Sequence, residues 1–203
     1  MTRSGNILLI VLLVLGMDMG LRAQNVPLAG ARRAEVLATI AAAQQPTAGQ
    51  VLKYAFVQTK HSPLLAKDAV SKGTLRLSGD RSMRWQYTEP NAFTLAVEGD
   101  SIYTIINGKR NPLSGAGGRM ARGMAQLMMQ MTAGASLMDE KLFETVLTEE
   151  GDVYRAVMTP KRRDMKRMMQ QVVLTFDRKS LRIKSVRLVE KEDSYTHIDF
   201  TLL

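Results

Sequence analysis

The spacing of apolar residues changes several times along the chain, and each change marks a boundary. Residues 7–15 are apolar without a break. From Arg32 to Gln45 the apolar positions Val36, Leu37 and Ile40 fall on one side of a 3.6-residue repeat, which predicts a helix ended by Pro46 and Gly49. From Val51 the period becomes two: Leu52, Tyr54 and Phe56 alternate with Lys53, Ala55 and Val57. The same alternation predicts strands over 70–78, 83–88, 93–98, 101–106, 142–147, 153–159, 172–177, 183–190 and 195–202. Ser62-Pro63, Gly79-Asp80, Gly99-Asp100 and Asn107-Gly108 separate the early ones as turns. Short strands at this spacing predict a mainly β chain with some helix, its one antiparallel sheet curled toward a barrel.

Two segments interrupt the sheet pattern. After the glycine-rich stretch 114–118, the chain reads as a second helix over Arg119–Thr132, with Met120, Met124, Met128 and Met131 in one stripe. Residues 160–169 form a basic insert in which Met165, Met168 and Met169 are framed by Lys161, Arg162, Arg163, Lys166 and Arg167. A methionine stripe is ordinarily core. These two lie where a regular sheet is broken, which is where covers are found, and methionine repacks around guests of differing shape. The cations of the second insert suit an amphiphile with an anionic head or a membrane surface, and equally a solvated charge run.

The apolar run at the start changes the count of folded residues. Arg3 ahead of it and Leu21-Arg22-Ala23 behind it have the layout of a secretory signal, 1–23, leaving 24–203 as one domain. A retained anchor is the alternative, but Asp18 interrupts a stretch already short for a span. The sequence has 28 Lys and Arg against 19 Asp and Glu, a net charge of +9. That favours anionic partners such as phospholipid head groups or nucleic acid, and export argues against nucleic acid. There is no cysteine, which excludes disulfides, thiolate metal sites, a cysteine nucleophile and an N-terminal lipidated cysteine.

Catalytic patterns are missing. The two histidines, His61 and His197, are far apart in sequence, and no nucleophile elbow, phosphate-cradling loop or zinc-protease motif occurs. Asp139-Glu140 and Glu149-Glu150 read as solvated pairs and His61, beside Ser62-Pro63, as a loop residue. The residues describe a binder rather than a catalyst.

Several stretches together carry a resemblance: "YAFVQTK" at 54–60, "SPLLAKDAVSKGTLRL" at 62–77, "MRWQYTEP" at 83–90, "VEGDSIYTI" at 97–105 and "TPKRRDMKRMMQQVVLTFD" at 159–177. In order, behind a leader and a helix, they resemble the LolA family of periplasmic lipoprotein carriers, in particular its divergent LolA-like branch. The resemblance implies an incomplete antiparallel barrel closed by helices that act as a lid. It implies a monomeric carrier without a cofactor, which takes acylated lipoproteins from an inner-membrane exporter to an outer-membrane acceptor. Aligning on Gly73 and Trp85 puts Gly79 where better-known members carry a lid-latching arginine, with Arg81 two positions on.

On that fold, alternation predicts a concave apolar surface. Phe56, Leu75 and Leu77 would line it, with Met83, Trp85 and Tyr87 on the next strand and Phe93 and Leu95 on the one after. Met124 and Met128 would face it from the lid, and Met168 and Met169 from the basic insert. A core needs the same faces. Binding of another amphiphile, or a non-catalytic role as an envelope interaction module, fits the same residues.

Overall fold

The computed structural model describes residues 26–80, 82–113, 137 and 139–203. Ten of the eleven strands among the described residues appear where alternation puts them. The eleven are β1 Val51–His61, β2 Ala69–Ser78, β3 Met83–Glu89, β4 Phe93–Glu98, β5 Ser101–Ile106, β6 Lys109–Pro112, β7 Phe143–Glu150, β8 Val153–Pro160, β9 Gln171–Asp177, β10 Ile183–Val189 and β11 Tyr195–Leu202. A helix α1, Gly30–Gln44, precedes β1, and a single-turn helix α2, Arg163–Met168, lies in the basic insert. Among the described residues the eleven strands make one antiparallel sheet in the order β6-β5-β4-β3-β2-β1-β11-β10-β9-β8-β7. The edges β6 and β7 do not pair with each other, so the sheet is an open half-barrel.

Two local readings are corrected. β6 has no apolar alternation to announce it. It exists because Asn107 and Gly108 adopt φ of 51° and 74°, the two successive positive values that a tight hairpin turn needs, and return the chain along β5. Pro112 is tolerated there because β6 is an edge. His61 is not a loop residue. It ends β1, stacks on Tyr195 at 4.9 Å, and places Nδ1 2.7 Å from Asp68.

The buried side of α1 is Val36, Leu37, Ile40, Ala41 and Gln44, and its large apolar residues join one core cluster with both halves of the sheet. The last turn of a helix leaves carbonyls without intrahelical partners. Here the Arg182 guanidinium donates to the Ala43 carbonyl. The Gln44 amide donates to the Ile40 carbonyl at 3.0 Å and to the Leu181 carbonyl, and accepts from the Ile183 N–H at 3.0 Å. Every hydrogen bond of this buried amide goes to backbone, tying α1 to the β9–β10 turn. At the other end of the helix, the Leu28 N–H donates to the Leu147 carbonyl at 2.7 Å and the Arg33 guanidinium to the Thr145 carbonyl at 3.0 Å. Pro27 bridges Thr148. The exposed edge of β7 is thereby covered by the chain that leads into α1.

Candidate functional site: the concave face

Register sets three transverse rows across the first half of the sheet. One row runs Leu52, Leu77, Met83, Val97, Ile102. The next is Leu202, Tyr54, Leu75, Trp85, Leu95. The third is Phe200, Phe56, Gly73, Tyr87, Phe93. Side chains alternate between faces along a strand, so residues paired across strands share a face, and these rows all look inward. Gly73 leaves a gap in the third row that the Phe56 ring fills. A β-carbon there would lie 2.7 Å from the Phe56 ring and 1.9 Å from the Gln86 carbonyl oxygen. The bulge between Lys72 and Gly73 sits at the same point.

The aromatic residues of the second and third rows form one cluster. Phe56 meets Trp85 edge-on at 5.4 Å and Tyr87 at 5.0 Å, Trp85 meets Phe200 at 6.0 Å, and Tyr87 stacks on Phe93 at 4.4 Å. Edge-to-face and offset contacts at these distances are the favoured geometries for aromatic rings. The Tyr87 hydroxyl donates to Gln58 Oε1 at 2.9 Å. Beyond Gln58 on the same face, Lys60 pairs with Glu190 at 2.5 Å, and Thr196 donates to the same carboxylate. The face is apolar over most of its length and polar at the end where β1 finishes.

Two polar atoms break the apolar floor. Trp85 Nε1 and the Tyr54 hydroxyl are buried and have no hydrogen-bond partner among the described residues. A buried donor left unmade costs about 1–3 kcal/mol. Both belong to one row, on β1 and β3, with Leu75 of β2 between them.

Burial pushes the Tyr87 hydroxyl up to about 12. Between about pH 10 and 12 an unfolded tyrosine has lost its proton while the folded one holds it. Stability is therefore expected to fall as pH rises through that window, by at most about 1.4 kcal/mol per pH unit from this group. Urea unfolding of Tyr87→Phe should show a shallower decline over the same range, and an identical pH dependence would refute the assignment.

The residues expected to line the face do not all share one environment. Phe56, Leu75, Leu77, Met83 and Trp85 are buried, and Tyr87, Phe93 and Leu95 are partly exposed. Met169 is buried in the core cluster, but Met168, its neighbour at the end of α2, is 41 % exposed and does not join them. Met124 and Met128 lie outside the described residues, as does Arg81. Tyr54 and Phe200 belong to the cluster although neither was selected from sequence. Both stand at inward positions of alternating strands, but their meeting requires β11 to pair with β1, a contact between the two ends of the chain. Gly79, which the resemblance sets opposite a lid-latching arginine, has no room for a side chain. A β-carbon there would sit 2.0 Å from the Thr47 carbonyl oxygen, and its N–H donates to the Gln50 carbonyl at 3.1 Å. Among the described residues no cluster of His, Asp and Glu could hold a metal ion, and no helix is long and apolar enough to cross a membrane.

Comparison with known proteins now bears on this geometry. The sequence model of the outer membrane lipoprotein carrier protein LolA matches residues 48–203. The chain belongs to the LolA family. This family comprises periplasmic proteins of a carrier-like kind that bind lipids or lipoproteins and are not enzymes. No individually curated protein matches the sequence. Among solved structures, the chain is similar to the LolA superfamily protein NE2245 from Nitrosomonas europaea, at 12 % identity, with 83 % of this chain and 91 % of that one covered and a TM-score of 0.41. It is similar to a putative outer membrane lipoprotein-sorting protein domain from Vibrio parahaemolyticus at 11 % identity, covering 81 % and 88 %, TM-score 0.39. It is also similar to a chain of the Pseudomonas aeruginosa MucA/MucB complex at 15 % identity, covering 83 % of this chain but 55 % of that one, TM-score 0.38.

Proposed function

We propose that this LolA-family protein carries acylated lipoproteins through the periplasm, holding their acyl chains against the concave face between an inner-membrane exporter and an outer-membrane acceptor. Residues 1–23 are, on this reading, a cleaved leader and 24–203 one carrier domain. N-terminal sequencing of the exported protein checks the cut.

The observation that carries the proposal is an apolar, aromatic floor holding two buried donors with no acceptor among the described residues. A floor that served only as core would be expected to satisfy them. An acyl chain brings both things the floor lacks: hydrocarbon for the aromatic rows, and an ester or amide carbonyl able to accept from Trp85 Nε1 or the Tyr54 hydroxyl. Each methylene withdrawn from water contributes about 0.8 kcal/mol, so even six give about 5 kcal/mol. Phe56, Leu75, Leu77, Met83 and Trp85 are buried, so loading requires whatever covers them to move. Apolar surface bared by that motion opposes opening when the carrier is empty, and cargo offsets the penalty by covering it. The polar end, with Gln58 and the Lys60–Glu190 pair, suits the junction between acyl chain and peptide.

Trp85 is the only tryptophan, so its emission reports on the floor directly. Titration with a triacylated lipopeptide is expected to change that emission saturably, and the same peptide without acyl chains is expected to leave it unchanged. Trp85→Phe, which keeps the ring cluster and removes the N–H, should weaken binding of a fluorescently labelled lipopeptide about tenfold, the factor that corresponds to one hydrogen bond of about 1.4 kcal/mol. No acyl-dependent change in either assay would sink the proposal. A carrier of another amphiphile, such as a glycolipid, would use the same floor and carbonyl contact. Mass spectrometry of what copurifies from the native envelope separates the two.

A further inference from the structure

The opposite face of the same strands carries a feature that acyl-chain binding does not use. Lys53, Arg76 and Arg84 point outward from β1, β2 and β3 and stand side by side in register. Like charges directly opposite across strands repel. Only Arg84 of the three has a carboxylate partner among the described residues: Glu98, at 3.5 Å. That carboxylate is shared with Arg110 at 3.4 Å, and its acid form is disfavoured by a hydrogen bond from the Tyr103 hydroxyl and by the two guanidinium groups. Arg76 has neither ion pair nor hydrogen bond among the described residues. The other nearby acid, Asp80, is occupied with the Ser82 N–H at 2.9 Å.

Between the two arginines the surface dips into a hollow of about 210 Å³, lined by Arg76, Ser78, Ser82, Met83, Arg84 and Glu98. Two arginines and two serines, all hydrogen-bond donors, are among its lining residues. A guanidinium offers two parallel N–H donors, the pattern that matches paired oxygens of a phosphate. Two forks from opposite sides suit a tetrahedral oxyanion better than a carboxylate, which has only two oxygens to share. Glu98 forms one wall and pairs with Arg84 and Arg110, and among the described residues it makes no ion pair with Arg76.

We propose that this hollow is a phosphate-binding site in which Arg76 and Arg84 clamp one phosphate group from either side and Ser78 and Ser82 donate to its remaining oxygens. The phosphate can belong to a soluble phosphate compound or to a phospholipid head group, and the chemistry of recognition is the same. The site lies on the outer face, does not depend on acyl-chain binding, and stands or falls apart from it.

The test is calorimetric titration of the exported full-length protein with inorganic phosphate at fixed ionic strength. The wild type is expected to bind one phosphate per chain, and Arg76→Gln and Arg84→Gln each to weaken it at least tenfold. Removing either arginine also removes a like-charge contact, and Arg84 in addition gives up its ion pair with Glu98, so in chloride buffer Arg76→Gln should melt at the wild-type temperature or above it and Arg84→Gln close to it. In phosphate buffer they should lose the wild type's gain. A second arm uses sedimentation with vesicles of phosphatidylcholine, with and without phosphatidylglycerol. Sedimentation with the anionic vesicles that both variants lose assigns the phosphate to a lipid head group, whereas phosphate binding without sedimentation assigns it to a soluble compound. If neither probe binds, or if either variant keeps wild-type affinity for the probe that binds, the clamp is overturned. The Trp85 emission assay should give the wild-type result in both variants.

Discussion

Gly73→Ala is expected to lower the melting temperature by about 10 °C. The added β-carbon would meet the Gln86 carbonyl oxygen at 1.9 Å and the Phe56 ring at 2.7 Å. The carbonyl is backbone of β3, already paired in register, and cannot swing aside as the end of a long side chain could. Overpacking of this kind costs about 3 kcal/mol, and in a protein of this size each kcal/mol corresponds to about 3 °C. The natural control is Gly99→Ala. Gly99 has φ of 56° with nothing within 4 Å of its β-position, so only the left-handed backbone conformation is penalised, at about 1 kcal/mol. Thermal melts of the two variants side by side give the answer. A Gly73 variant that melts no lower than the Gly99 variant would show that β3 yields easily, and that the Phe56–Tyr87 cluster is not held by this close approach.

The second large effect is expected at Gln44. Leucine is close in size but can make none of the amide's hydrogen bonds. Gln44→Leu would leave the buried Ile183 N–H and the half-buried Leu181 carbonyl without their partner. At about 1–3 kcal/mol for each orphaned group, and with some relief from relaxation of the turn, the loss should be about 3 kcal/mol. Because Gln44 holds the end of α1, hydrogen exchange should quicken over residues 36–44 more than over β1 and β2. Uniform quickening across the whole sheet would mean that Gln44 supports the core generally and does not anchor the helix in particular.

Most of the sheet was legible from the period of its apolar residues, because each strand presents one face to the core and one to water. Tyr54 and Phe56 of β1 and Leu75 and Leu77 of β2 alternate and are buried accordingly, and Val172, Leu174 and Phe176 of β9 are buried too, although Val173 between them is buried as well. β6 escaped because its residues Lys109, Arg110, Asn111 and Pro112 are all exposed. A turn, not a buried face, makes it a strand. At the site, the aromatic residues of β3 and β4 could be found because hairpins bring them together across short turns. Phe200 could not be placed beside Phe56 and Trp85, since nothing local says that the last strand lies against the first. Met168 and Met169 differ for a related reason. Helical spacing groups them, but α2 stops at Met168, and Met169, in extended backbone, turns its side chain into the core. The Gln44 clamp was equally hidden, as its partners lie in the turn before β10.

The way α1 is fastened ties two events together. The residues leading into it seal the rim of β7, and its far end is pinned beneath the β9–β10 turn. Any swing of the helix that frees its first turn also frees the carbonyls of Thr145 and Leu147, so unroofing the greasy interior and unzipping a strand border become one movement. A chain built in this way is at its stickiest, for hydrocarbon and for extended peptide alike, at the same instant.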